Sequence, residues 1–199
     1  MSIDDKQQQT TVNVQEKANL IWAIADKLVG VYKPHEYGNV ILPMCVIKRF
    51  EDTLAPTRDK VLETNKELDA KKIEMKRGFL ERAAGQKFYN LSRFTFDTLL
   101  ADADNIKDNF ESYLNHFSEN VIDIIYRMEF QKEIDKMADN GLLYLVIKEF
   151  CTTKAYLGAD KVSSVDMGYI FEELVRKFSE SYDEQAGAHF THGGITCRR

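Results

Sequence analysis

Residues 19–57 read NLIWAIADKLVGVYKPHEYGNVILPMCVIKRFEDTLAPT, a stretch in which apolar side chains recur at helical spacing. The two sets of apolar positions are Leu20, Ile21, Ile24 and Leu28, then Val40, Ile41, Met44, Ile47, Phe50 and Leu54. This spacing predicts two helices with buried faces, joined by a loop over 31–38. Asn13 and Glu16 resemble a capping pair at the start of the first helix, and Gly30 suits its C-terminal end.

Two prolines limit the second of these helices. Pro43 lies among its apolar positions, where a residue without an N–H either kinks a helix or confines the regular part to the C-terminal side. Pro56 is expected to close the unit. From Thr57 to about Arg77 the apolar positions are sparse among charged ones, which predicts a solvated helix on the surface of a bundle.

The rest of the chain also favours helices. Gly78 and Gly85 break the periodicity, so residues 79–96 are expected to form a loop with one short hairpin. Three apolar stripes follow: Ile106, Phe110 and Leu114; Val121, Ile122, Ile125 and Met128; Leu142, Leu143, Val146, Ile147 and Phe150. A last helix is expected to begin near Ser164 as its N-cap. Its expected buried residues are Ile170, Phe171, Leu174, Val175, Phe178 and Tyr182.

The order of these elements predicts the fold class. No run of strands alternates with the helices over the first 185 residues, so a parallel α/β sheet is not encoded there. The sequence therefore predicts a mainly α fold, a multi-helix bundle-like domain.

Charge is distributed unevenly along the chain. The formal net charge is −5, which disfavours nucleic acid and anionic membranes as general partners. Residues 71–93, however, carry seven Lys or Arg against two Glu, whereas residues 95–143 carry eleven Asp or Glu against four Lys or Arg. Any DNA contact must therefore rest on a local basic patch.

The basic stretch supplies the candidate DNA contacts, which are Lys71, Lys72, Lys76, Arg77, Arg82 and Lys87. Phe79, Phe88 and Tyr89 alternate with these cations, as in a loop that follows a phosphate backbone. The alternative interpretation is a solvated helix end on which charges happen to cluster.

Cysteine usage and the N-terminus bear on the compartment. Cys45, Cys151 and Cys197 are odd in number and widely spaced, which fits a reducing cytosol. The first nine residues have no apolar core of a secretion signal, and the run 40–47 is too short to cross a membrane. We therefore expect a cytoplasmic protein that does not interact with a membrane.

A search for self-contained chemistry finds little. None of the ten glycines belongs to a phosphate-binding loop, and no credible pair of Cys and His nucleophiles is present. Asp102, Asp104 and Asp108 fail the calcium-loop pattern because the positions that require Gly and a bidentate Glu hold other residues. The tail residues His189, His192 and Cys197 lack a fourth ligand for zinc. We expect no catalytic and no metal site.

Three segments resemble the N-terminal helical domain of the modification (M) subunit of type I restriction-modification systems. They are residues 19–57, quoted above, KFYNLSRFTFDTLLAD at 87–102, and VSSVDMGYIFEELVRKFSESYDEQAGAHFTHGG at 162–194. The resemblance extends from about residue 16 to 191 with the segments in the same order. It implies a polar leader at 1–15, the helical N-terminal domain at 16–184, and a truncated linker and tail at 185–199.

The resemblance also implies a function. In that family the helical domain precedes a methyltransferase domain, which transfers a methyl group from S-adenosylmethionine to adenine N6. The implied partners are the specificity subunit, the restriction subunit and double-stranded DNA. The chain would then be the DNA-proximal and subunit-docking domain. The alternative is a standalone helical interaction protein that binds the specificity subunit or self-associates without methylation.

The family's first cofactor motif, Ala-Gly-Glu-x-Phe-Thr-Pro-Arg, is only partly present. Residues 186–193 read AGAHFTHG, so that Phe190 and Thr191 match the pair that contacts the methionine end of the cofactor. Pro and Arg of the motif are replaced by His192 and Gly193. Only the start of a following methyltransferase domain is therefore expected.

The family's catalytic Asn-Pro-Pro-Phe or Tyr motif cannot be formed by this sequence. Its three prolines, Pro34, Pro43 and Pro56, are never adjacent. In the family this motif grips the flipped adenine. We expect no methyl transfer and no cofactor for this chain alone, with S-adenosylmethionine belonging to the full-length family.

Overall fold

The computed structural model describes residues 14–190, with side chains as far as residue 182. Helix α1 covers residues 14–22 of this part. The later helices are α2 (Ala25–Leu28), α3 (Tyr37–Leu54), α4 (Arg58–Ala70), α5 (Arg77–Ala84), α6 (Phe96–Leu99), α7 (Ile106–Asn115), α8 (Glu119–Arg127), α9 (Gln131–Asp139), α10 (Leu143–Phe150) and α11 (Ser164–Phe190). No strand forms among the described residues, which confirms the mainly α prediction.

One apolar core runs through these helices. The predicted stripes of α7 and α10 are buried in full, and the core continues into α3 through residues such as Ile41, Met44 and Ile47. Phe96, Phe110 and Tyr113 pack ring against ring within it, with centroids 5.9–6.2 Å apart. Burial of these large side chains is the main stabilising term, at about 1.5–3 kcal/mol for each one fully buried.

The prediction for residues 57–96 is wrong in two places. The chain leaves the helix at Ala70 rather than near Arg77, and α5 occupies part of the expected loop. Helix α5 forms because Leu80, Ala83 and Ala84 bury one face against the core, and this outweighs the low helix propensity of Gly78. No hairpin forms between 79 and 96, where Asn90 instead makes an isolated bridge with Phe117.

The first two helices depart from the prediction at their ends. The helical path is interrupted at residues 23–24, and Gly30, at φ +90°, ends the segment in the conformation that glycine favours. Asn13 lies outside the described residues. Helix α3 begins at Tyr37 and includes Pro43, so its regular part is not confined to the C-terminal side of the proline.

The last helix is capped one residue earlier than predicted. The Ser163 hydroxyl accepts a bond from the backbone N–H of Asp166 at 3.1 Å, and the Asp166 carboxylate accepts one from the N–H of Ser163 at 3.0 Å. This reciprocal pair is a capping box. Along α11, Ile170 and Leu174 are buried as expected, but Val175 and Tyr182 are exposed because the helix covers the core with a narrower face.

Helix α1 begins at residue 14, directly after the expected cap position, and α11 is helical as far as Phe190. Among the residues described, no helix is both long and apolar enough to cross a membrane.

Polar side chains of α3 hold two irregular segments in place. Lys48 and Asp52 form a buried ion pair at 2.8 Å, with 8% and 5% of each residue exposed. The second oxygen of Asp52 accepts the backbone N–H of Leu157 at 2.7 Å, while Arg49 donates to the carbonyls of Leu157 and Val162. The segment that leads into α11 is thus bonded to α3.

The second irregular segment, which leads into α6, is held by Glu51 and Arg58. The Glu51 carboxylate accepts the N–H of Phe96 at 3.1 Å and the hydroxyl of Tyr113 at 2.5 Å, and Arg58 donates to the Ser92 carbonyl at 2.9 Å. We name Lys48, Arg49, Glu51 and Asp52 the α3 polar cluster. Every buried side-chain polar atom in the described part has a partner.

Removal of the Asp52 carboxylate should destabilise the fold severely. In Asp52→Ala the Lys48 ammonium stays buried without its anion, which typically costs about 3–5 kcal/mol of the free energy of unfolding. Urea denaturation followed by circular dichroism measures this loss. The matched control is Asp135→Ala, whose carboxylate pairs with Lys107 in a solvated position. A loss for Asp52→Ala no larger than that of the control would contradict the assigned role.

Glu51 should make stability depend on pH. Burial raises the pKa of Glu51 above its ordinary value of 4.5, more than the bonds from Tyr113 and Phe96 lower it. The folded chain therefore binds this proton more tightly than the unfolded chain, and stability is lost as the pH rises above that value. Relative to Glu51→Gln, the wild type should lose stability as the pH rises above about 4.5. Parallel urea titrations would show no such divergence if Glu51 were solvated.

Candidate nucleic-acid interface

The predicted DNA-contact residues lie on one corner of the fold. This basic corner comprises residues 71–87: the turn between α4 and α5, helix α5 and the residues after it. The turn closes with bonds from the N–H of Lys72 to the carbonyl of Asp69 at 2.9 Å and from Ile73 to Leu68 at 3.0 Å. This is the Schellman pattern, and it places Lys72 at φ 53°, in the left-handed region.

Three of the six predicted cations are free to meet an anion. Lys71, Lys72 and Arg82 are exposed, and none of them pairs with a carboxylate among the residues whose side chains are described. Lys71 and Lys72 follow the C-terminal end of α4, and Arg82 lies on α5. The corner thus carries positive charge on both of its helices.

The other three cations are already engaged. Lys76 contacts Asp69 and donates to Asn65 at 3.2 Å. The Glu81 carboxylate accepts a hydrogen bond from the Arg77 guanidinium at 2.7 Å, and it lies 3.6 Å from the ammonium of Lys87. The bond from Arg77 holds the pKa of Glu81 below its ordinary value and raises that of Arg77. These cations stabilise the corner itself, so their charge is partly compensated.

The aromatic residues of the stretch differ in accessibility. Phe79 is half exposed on α5, next to the cations. Phe88 packs against Phe50 with ring centroids 4.9 Å apart, and Tyr89 is partly buried, which raises its pKa. Only Phe79 of the three is therefore placed for a contact with a base or sugar.

A shallow groove of about 570 Å³ lies beside the corner. Met75, with 88% of its surface exposed, stands at its edge, and Tyr89 and Leu91 contribute apolar surface. Lys76 and Arg77 line the groove but are paired with carboxylates, whereas Glu74 and Glu119 also line it and would repel phosphate. The cations outside the groove are therefore better placed for a nucleic-acid backbone than the groove itself.

The candidate cofactor residues are not part of a described site. Phe190 is the last residue of α11 and its side chain is not described, while Thr191 lies outside the described residues, as do His192 and Cys197. The three cavities described for the fold are lined by residues between 48 and 134.

The acidic and thiol groups have structural surroundings. Asp102 accepts bonds from Asn105 and Asn109 at the start of α7, and no metal-binding cluster of His, Cys, Asp or Glu occurs among the described residues. Cys45 is fully buried, and burial raises the pKa of its thiol. Burial also raises the pKa of the half-buried Cys151 to about 12. Neither thiol is activated as a nucleophile.

Two features of the structure, one polar and one apolar, were not predicted from the sequence. The first is the α3 polar cluster, whose only sequence signal is charge at positions i and i+4 inside an apolar helix. The second is an apolar groove of about 490 Å³ between α7, α8 and α9. The apolar stripe of α8 predicts a buried face, whereas only Val121 of that helix is fully buried and Ile122 and Ile125 line this groove.

Comparisons with known proteins give one match. No curated protein and no solved structure matches the chain. The family model of the HsdM N-terminal domain matches residues 17–150, which include the basic corner, the α3 polar cluster and the helices from α2 to α10. Because this match covers more than half of the sequence, the chain belongs to the HsdM N-terminal domain family, the N-terminal domain of the type I restriction-modification M subunit.

Proposed function

We propose that this chain is a DNA-proximal and subunit-docking domain within a type I restriction-modification complex. One observation carries the DNA part of the proposal: Lys71, Lys72 and Arg82 stand exposed and unpaired on one corner of the described fold. Such cations bind phosphates by releasing condensed counterions, without reading sequence. Sequence recognition is left to the specificity subunit.

We propose that the residues that carry out methylation are not in this chain. The family consists of domains of methyltransferase subunits, but this sequence lacks adjacent prolines for the adenine-binding motif. We propose that the chain alone is not an enzyme and holds no cofactor, and that Phe190 and Thr191 contact S-adenosylmethionine only beside a catalytic domain. The other proposed partner is the restriction subunit, in the cytoplasm.

A second function is favoured by the apolar groove between α7, α8 and α9. A surface of this kind suits a protein partner, and a standalone helical interaction protein would need no basic corner. The two functions are distinguished by whether the exposed cations contribute to DNA binding.

Neutralising the exposed cations should weaken DNA binding and reduce its salt dependence. The variant Lys71→Gln, Lys72→Gln, Arg82→Gln removes three phosphate contacts. The slope of log K against log salt concentration should therefore fall by about 2–3 units. Fluorescence anisotropy with the full chain and a labelled duplex of mixed sequence measures this at several salt concentrations.

The matched control neutralises the engaged cations. It also neutralises their partners: in Lys76→Gln, Arg77→Gln, Asp69→Asn, Glu81→Gln the net charge around the corner is unchanged, so that the slope should change by about 1 unit at most. Lys132→Gln, in the acidic part of the chain, should leave it unaltered. An unchanged slope in the triple variant would remove the corner from the interface and favour the standalone protein.

Two glycine substitutions separate charge from stability at the corner. Lys72→Gly relieves a left-handed conformation and should raise the free energy of unfolding by about 1 kcal/mol. Lys71→Gly, at φ −85°, should lower it by about 0.5–1 kcal/mol. Both variants lose one cation, so both should bind DNA more weakly. If DNA affinity followed stability instead, the contacts would not be electrostatic.

A further inference from the structure

The groove between α7, α8 and α9 has a distinct chemical character. Its floor is made by Phe130 and Ile134, which are buried, and by Leu114 of α7. Ile122 and Ile125 of α8 form a half-buried wall. The volume of about 490 Å³ falls within the range of about 300–1,000 Å³ typical of binding pockets.

Helix α8 has large apolar side chains that are exposed to solvent. Tyr126, at the edge of the groove, is 82% exposed, and Ile124 is 42% exposed. Each of these would gain from burial, at about 25 cal/mol for every Å² of apolar surface removed from water. Tyr126 extends the apolar surface of the groove, whereas Ile124 does not line the groove.

The shape of the groove suits a helix. Its lining positions on α8 begin at Ile122, and the lining continues past the end of the helix to Glu129, a stretch of eight residues that spans about 10 Å at helical rise. That length is two turns of a docked helix, which would insert apolar side chains at i, i+3 or i+4, and i+7. A bond of 2.7 Å from Gln131 to Glu111 joins α9 to α7 at the groove, so the groove exists before binding.

The surrounding charge defines the partner further. Residues 106–139, which form α7, α8 and α9, contain eight Asp or Glu and four Lys or Arg. Glu111 and Glu129 line the groove itself. The lining also holds two cations, Arg127 and Lys132, and Lys132 and Glu129 neutralise each other at 2.6 Å, so the acidic surplus lies on the helices around the groove and not in its lining. A partner helix with basic flanks would therefore meet a complementary field.

We propose that this groove is the docking site for a basic amphipathic helix of another polypeptide. The proposal deepens the subunit-docking part of the proposed function and rests on it. It names the surface, Ile122, Ile125, Tyr126 and Phe130, and the chemistry of the partner: three apolar anchors over two turns, flanked by Lys or Arg.

Three designed helical peptides test the proposal on the full chain. The first carries Leu at i, i+4 and i+7 with flanking Lys, the second replaces Lys by Glu, and the third scrambles the order of the first. Anisotropy of labelled peptides should show the first binding at least about tenfold more tightly than the other two. Equal binding of the scrambled peptide, or no binding of the first, would overturn the proposal.

Matched tyrosine variants locate the binding surface. Tyr126→Ala should weaken the first peptide about tenfold, since it removes an exposed ring at the edge of the groove. Tyr169→Ala removes a ring of α11 that is 54% exposed and should have no effect. Both positions are exposed, so both variants should keep the wild-type circular dichroism and melting. Equal effects of the two variants would place the peptide elsewhere.

Two further measurements separate the remaining outcomes. If sedimentation velocity shows a dimer of the chain that Tyr126→Ala dissociates, a second copy covers the groove and the proposal is wrong. The salt dependence of DNA binding should be the same in Tyr126→Ala and the wild type. A failed peptide test with normal DNA binding would refute the groove alone, and a lost salt dependence at the corner would refute the DNA proposal alone.

Discussion

The buried ion pair between Lys48 and Asp52 is the constraint on which the arrangement of the other helices depends. Burial of both charges costs desolvation free energy. This cost is offset by their ion pair, by the hydrogen bond that Asp52 accepts from the N–H of Leu157, and by the position of the Lys48 ammonium 5.6 Å from the ring centroid of Phe96. One helix thereby fixes the segment that leads into α11 and, through Glu51, the start of α6. Segments without secondary structure of their own can be buried here because α3 satisfies their backbone groups.

Much of the helical framework could be predicted from sequence, and the reason is physical. Apolar stripes such as Ile106, Phe110 and Leu114 repeat with the helical period, so one local pattern specifies both the helix and its buried face. Helix ends depend instead on single hydrogen bonds. The turn after α4 is closed by a lysine in a conformation usually held by glycine, and a composition-based interpretation could not find it.

The sequence predicted which segment of the chain is basic, but not which of its cations are exposed and unpaired on the surface. Counting charge within 71–93 correctly located a basic stretch, yet the count omitted Asp69, which precedes the stretch and pairs with Lys76. It also treated Glu81 as one negative charge, although that carboxylate engages both Arg77 and Lys87. Which cations stay free is decided by spatial neighbours, and these become visible only when α4 and α5 are packed together.

Local pairing of charges accounts for a basic corner on a chain whose net charge is −5. At physiological salt, charges separated by more than about 8 Å are largely screened, so a phosphate responds to its nearest neighbours rather than to the total. Around Lys71, Lys72 and Arg82 the nearby carboxylates of Asp69 and Glu81 are engaged by other cations. Residues 106–139, which form α7, α8 and α9, keep a surplus of carboxylates, so the field at that surface has the opposite sign. Local compensation of charge, more than its sum, determines which ligand each surface attracts.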